Sequence, residues 1–258
     1  MIQLRLIESV RARCLEDARL DAALMYGSFA EGTGDTHSDI EFWLFFTDPA
    51  VVDAAEWCES VAPLRHLVVN EYGAHVAFFP DLVRGEFHFA SREDIASVAG
   101  WPARGAPVSR MLVVDRRGEL GRVLGGLPSA PAAPGSAEVE VLCGRYANWL
   151  VLARNVAARG ELLRAVDALG QVQRHLLWLS RLASDETGHW LTPSRGAEAE
   201  VPPAALASLR RALPEADRVD AALAGAWAAG KALWLRLADR YGFAVPYALF
   251  DDLDASLR

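Results

Sequence analysis

Residues 128–136, Pro-Ser-Ala-Pro-Ala-Ala-Pro-Gly-Ser, separate two stretches of sequence whose apolar residues repeat with different periods. Three of these nine residues are prolines without a backbone N–H donor, so neither a helix nor a sheet ladder can run through the segment. It reads as a linker over 128–136. Ahead of it lie short β-rich runs: Ala22 to Tyr26, Ile40 to Phe46, Leu64 to Val69, His75 to Phe79, Glu86 to Phe89 and Met111 to Val114. A helix from Ile2 to Leu15 precedes them, so residues 1–127 are expected to form an α/β (α+β) domain with a mixed sheet. Behind the linker, Leu142, Tyr146, Trp149, Ala153 and Val156 recur every three or four residues and share one helical face. Arg159-Gly160 should end that helix, and Leu162, Val166, Leu169, Val172 and Leu176 mark the next. Further helices are expected at Pro203 to Ala212, at Glu215 to Tyr241 and after Pro246, which makes residues 137–258 an all-α helical bundle. A chain of 258 residues is long enough to bury two such cores.

Composition narrows the partners. The formal charge of -8 disfavours nucleic acid, whose phosphates demand clustered Lys and Arg, and directs attention to small neutral or cationic ligands. Cys14, Cys58 and Cys143 are too far apart for a CxxC metal site and odd in number, as expected of buried thiols in a reducing compartment. Arg5 and Glu8 interrupt the apolar character of Met1 to Val10, against a secretory signal. Lys231 and Arg236 likewise interrupt Gly225 to Leu237, against a membrane span. A soluble cytoplasmic protein is expected.

The chemistry-bearing residues concentrate in Gly27 to Leu44, GSFAEGTGDTHSDIEFWL. Gly27 allows close backbone approach to a ligand, and Ser28 is placed to cap a short helix with its N–H groups toward phosphate. Asp39 and Glu41 open the next strand two residues apart, so both carboxylates face one side while Ile40 and Phe42 face the other. Magnesium takes hard oxygen ligands and commonly combines one or two carboxylates with substrate phosphates, which suits this pair to an NTP complex. Glu86 and His88 share one face of a later strand, with Phe87 and Phe89 on the other. On their own, a Gly-Ser turn or an acidic strand end is ordinary surface structure; the order strand, Gly-Ser, Gly, Ser-Asp-x-Glu, strand points to nucleotidyl transfer. The sequence has no GxxxxGK[ST], HExxH or GxSxG motif.

GSFAEG followed by SDIEF resembles the polymerase-beta-like nucleotidyltransferase superfamily. MYGSFAEGTGDTHSDIEFWLF, NEYG and LVRGEFHF are similar to the two-domain lincosamide nucleotidyltransferases, with weaker likeness in Asn148-Trp149-Leu150 and Arg159-Gly160-Glu161. The resemblance implies magnesium-dependent transfer of AMP from ATP to a hydroxyl of a lincosamide antibiotic, which inactivates the drug. It also implies Asp39 and Glu41 as metal ligands, Glu86 as catalytic base, Gly27 and Ser28 at the nucleotide, and a homodimer. An aminoglycoside nucleotidyltransferase and a non-catalytic nucleotide-binding module of the same fold stay open as alternatives. The expected partners are a small antibiotic and an NTP, with no nucleic acid and no membrane.

Overall fold

In the first half, alternating apolar side chains become strands that bury one face. Ile40, Phe42, Leu44 and Phe46 are all fully buried on strand β2 (Ile40–Phe46), while Glu41 and Trp43 between them stay partly open. The computed structural model describes residues 1–213 and 218–257. Helix α1 (Ile2–Glu16) leads into β1 (Leu20–Tyr26), the short helix α2 (Gly27–Glu31) and β2. Helix α3 (Ala54–Val61), capped by the Asp53 side chain, is followed by β3 (His66–Val69), β4 (His75–Phe78) and β5 (Arg84–Ser91). Then come α4 (Val108–Met111), β6 (Leu112–Asp115) and α5 (Glu119–Gly126). The six strands form one mixed sheet in the order β3-β4-β5-β2-β1-β6. β2 and β5 at its centre run parallel and the other neighbours antiparallel. Phe42 and Phe87 stack across the central pair at 5.9 Å, and Trp57 of α3 closes on Phe87 edge-on at 5.8 Å.

The register fixes what the open face displays. β1, β2 and β5 pair Tyr26 with Glu41 and Glu41 with Glu86, so these three side chains form one row across the sheet. The next row is Leu24, Trp43 and His88. β5 extends two residues further back than the expected Glu86 start, because Arg84 and Gly85 pair with Phe78 and Ala77 of β4. Two-sided strand pairing outweighs the poor strand preference of glycine there.

The second half is helical: α6 (Ser136–Ala158), α7 (Leu162–Ser184), α8 (Ala197–Glu200), α9 (Pro203–Arg211), α10 (Val219–Tyr241) and α11 (Tyr247–Ser256). The buried face of α6 includes Tyr146, Ala153 and Val156, as its spacing foretold. On α7 the buried stripe starts at Ala165 and continues through Leu169, Val172 and Leu176; Leu162, expected on that face, is instead exposed at the helix start. The expected helix start at Glu215 lies outside the described residues. Trp227 and Trp234 of α10 are buried in this half's own core, both edge-on to Phe250 of α11. Arg181 of α7 is also fully buried, and it donates to the carbonyls of Glu186, Pro193 and Arg195 and to Glu200. One arginine thereby ties the segment between α7 and α9 to α7. The chain divides into two compact units, Met1–Pro131 and Ala132–Arg258. Among the described residues no helix is long and apolar enough to cross a membrane. Cys14, Cys58 and Cys143 are buried free thiols, and burial pushes each up to about 12.

Candidate active site

The open ends of β1, β2 and β5 bring together Tyr26, Asp39, Glu41, Arg84, Glu86 and His88. Ile40 pairs with Gly85, so the preceding positions, Asp39 and Arg84, lie side by side at the mouth of the parallel pair. Arg84 forks between two carboxylates: Nη1 donates to Asp39 Oδ2, and Nη2 to Glu86 Oε2 at 3.0 Å. The other oxygen of Glu86 accepts from the Tyr26 hydroxyl at 3.0 Å. That hydroxyl has one proton and spends it on Glu86, so His88 Nε2, 3.2 Å away, is the donor at their contact. The His88 ring is held flat against Trp43, with centroids 4.0 Å apart. His88 Nε2 also lies 3.6 Å from Glu86 Oε1, so Trp43 holds His88, and His88 and Tyr26 together flank that oxygen.

The electrostatics follow from partial burial. Burial raises the Asp39 carboxyl above its ordinary range against the pull of Arg84, and Glu86 adds to the rise. Burial, then the negative charges of Glu86 and Glu41, push the Tyr26 phenol far up, which keeps it a proton donor to Glu86 at any working pH. Burial lowers His88 below its ordinary 6.5 despite Glu86 beside it, so the imidazole is neutral at neutral pH.

Gly27 sits where β1 turns into α2 with φ of +71°, a conformation that favours glycine. A Cβ there would fall 1.6 Å from Glu41 Oε2, so the Glu41 carboxylate rests directly on this backbone. Ser28 does not cap α2. It lies inside the first turn, two residues after the cap position, and its carbonyl accepts from Gly32 and Thr33 at 2.9 Å. The cap position falls to Tyr26, whose hydroxyl is engaged with Glu86. His37 is exposed in the loop before Asp39, its N–H bonded to Asp35.

The sequence pattern put Asp39, Glu41 and Glu86 on chemistry, and the fold gathers all three at one edge of the open face. Arg84 and Tyr26 were not foreseen. Arg84-x-Glu86-x-His88 has the same period of two as Asp39-x-Glu41, which is the signal that a longer β5 would have exposed. Among the described residues no three or more His, Cys, Asp or Glu side chains form a ready-made metal cage. The donor set nevertheless fits magnesium, which seldom uses all-protein cages, and a guanidinium already bridges Asp39 and Glu86 as a positive charge would.

The helical half contains a cavity of about 520 Å³ lined by Glu138, Arg145, His175, Trp178 and Trp190, among others. Trp178 donates its indole N–H to the Trp190 carbonyl at 2.8 Å, and Arg174 lies over the Trp178 ring.

No curated protein matches the chain. Among solved structures it is similar to an aminoglycoside 6-adenyltransferase from Bacillus subtilis, at 11% identity and a TM-score of 0.44 over 98% of this chain and 95% of that one. A nucleotidyltransferase-like protein from Exiguobacterium sibiricum aligns at 12% identity and a TM-score of 0.38, over 100% and 88% of the two chains. A Thermotoga maritima CCA-adding enzyme complexed with tRNA aligns at 14% and 0.35, over 98% and 71%. Residues 135–255 match the family model described as lincosamide nucleotidyltransferase-like, C-terminal domain. That match spans the helical half, which is thus similar to the C-terminal domain of lincosamide nucleotidyltransferase-like proteins.

Proposed function

We propose that this protein transfers AMP from ATP to a hydroxyl of a lincosamide antibiotic, using magnesium, and so inactivates the drug. The observation that carries the reading is the convergence of Asp39, Glu41 and Glu86 at the Gly27 turn, in a chain with this C-terminal domain. Asp39 and Glu41 are the residues that would hold magnesium together with triphosphate oxygens. Bound there, the ion would offset the charge that develops as pyrophosphate leaves the α-phosphorus.

The residues of the chain account for the rest of the transfer. The acceptor oxygen attacks the α-phosphorus, its bond to pyrophosphate breaks, and the acceptor proton passes to Glu86. Tyr26 and His88 aim Glu86 through the 3.0 and 3.2 Å contacts. Gly27 and the first turn of α2 supply backbone N–H groups for phosphate.

Residues 1–127 are assigned to the nucleotide and 137–258 to the acceptor. The cavity of about 520 Å³ in the helical half supports the second assignment, being the size of a small-molecule site and walled by Trp178 and Trp190. A homodimer is part of the same reading. Its support is the family resemblance.

The experiment is pyrophosphate release from ATP and magnesium across a panel of lincosamides and aminoglycosides. Release with lincomycin or clindamycin is the expected result. Release with aminoglycosides alone would move the acceptor to that class, and ATP binding without release would leave a non-catalytic nucleotide-binding module.

A further inference from the structure

We propose that Arg84 is a built-in counter-ion for the carboxylate set and that a metal reaching those carboxylates must displace it. This rests on the reading of Asp39, Glu41 and Glu86 given above and adds how the site is kept before metal arrives. β5 carries Arg84 on the same face as Glu86, beside Asp39. One terminal nitrogen goes to Asp39 and the other to Glu86, so a single guanidinium spans both groups. With Tyr26 on Oε1 and Arg84 on Oε2, both oxygens of Glu86 are engaged.

A divalent cation draws on the same lone pairs that the fork occupies, and two positive charges a few ångströms apart repel. Both cannot hold Asp39 fully. The Arg84 side chain is 38% exposed and its partners 32% and 20%, so the fork opens toward water and its rupture is cheap, as for other exposed pairs. The carboxylates are thus kept close together without mutual repulsion, and their affinity for bare metal is held down.

The test uses Mn²⁺ alone with the full chain, counting free Mn²⁺ by electron paramagnetic resonance for the wild type, Arg84→Gln, Arg84→Lys and Asp39→Asn. Arg84→Gln should tighten Mn²⁺ binding about three- to tenfold. Arg84→Lys should tighten it less, because one ammonium keeps the charge but cannot fork. In parallel, Mg²⁺ added to the wild type should move the Arg84 side-chain N–H resonance to the position of a water-exposed arginine. Unchanged or weaker Mn²⁺ binding in Arg84→Gln, or an Arg84 resonance unmoved at saturating Mg²⁺, overturns the inference. If Asp39→Asn weakens binding while Arg84→Gln matches the wild type, the metal site stands and the counter-ion falls. If none of the four chains binds Mn²⁺, both fall. Should Arg84→Gln fail to fold, the lysine variant and the wild-type resonance decide.

Discussion

Glu86 is the side chain whose two oxygens have the most distinct surroundings, a neutral phenol on one and a guanidinium on the other. A general base works through a free lone pair, so the proposed chemistry needs Glu86 to exchange one partner for the acceptor hydroxyl. Glu86→Gln keeps the shape and cannot take the proton; steady-state kinetics should show kcat lower by about a hundredfold or more, with nucleotide affinity little changed. A kcat within about threefold of wild type would remove Glu86 from the chemistry. Tyr26→Phe deletes the donor that aims Glu86 and should reduce kcat by a smaller factor than Glu86→Gln, with the KM for ATP unchanged. Asp39→Asn and Glu41→Gln should each abolish turnover while circular dichroism shows an intact fold, since both side chains sit on the open face rather than in the core. Near-normal rates in either variant at saturating magnesium would show that the pair does not hold the metal.

The turn from β1 into α2 sets the Glu41 carboxylate as firmly as any hydrogen bond, because there is no room between it and Gly27 for a methyl group. Gly27→Ala therefore meets two obstacles, a left-handed φ worth roughly 1 kcal/mol or more and a direct clash with Glu41 Oε2. Activity should fall to the level of Glu41→Gln, with only a modest loss of thermal stability; an alanine variant with full activity would mean that Glu41 need not lie where it does. The same stretch shows what sequence could and could not disclose. Strand β2 was legible to the residue, since it is an apolar run broken only by Glu41 and one face is fully buried. The start of β5 was not, because Arg84-Gly85 has no strand character of its own and gains it from β4 and β2 on either side. That omission hid Arg84, the guanidinium that bridges Asp39 and Glu86. The Ser28 cap failed for a related reason: helix α2 begins two residues early, at Gly27, once glycine supplies the positive φ. In the helical half, Leu162 fitted the period of three and four yet lies exposed at the first position of its helix.

Across the whole molecule, the two halves meet acid differently from what net charge alone predicts. His75, His88 and His175 are all lowered from 6.5, in each case chiefly by burial. The folded chain therefore binds these protons less readily than the unfolded one, so stability is full above 6.5 and is lost as pH falls through and below it. Unfolding midpoints should drop between about pH 7.5 and 5.5, and the drop should shrink in His175→Gln. A flat profile over that range would mean that the three imidazoles titrate alike in the folded and unfolded chain. Arg181 offers a separate check on the helical half: Arg181→Met removes the buried guanidinium from three loop carbonyls and leaves Glu200 with His189 alone, and should cost about 3 kcal/mol or more. The proposed homodimer is tested by light scattering at micromolar concentration, where a monomer mass unchanged by ATP would refute it. The buried cysteines have one more consequence, in reagent chemistry. Maleimides and spin labels attack thiolates, and thiols shielded from water with pKa near 12 present almost none. A cysteine introduced at Leu82, which is 90% exposed and two residues ahead of Arg84, would accordingly take a probe selectively with all three native cysteines left in place.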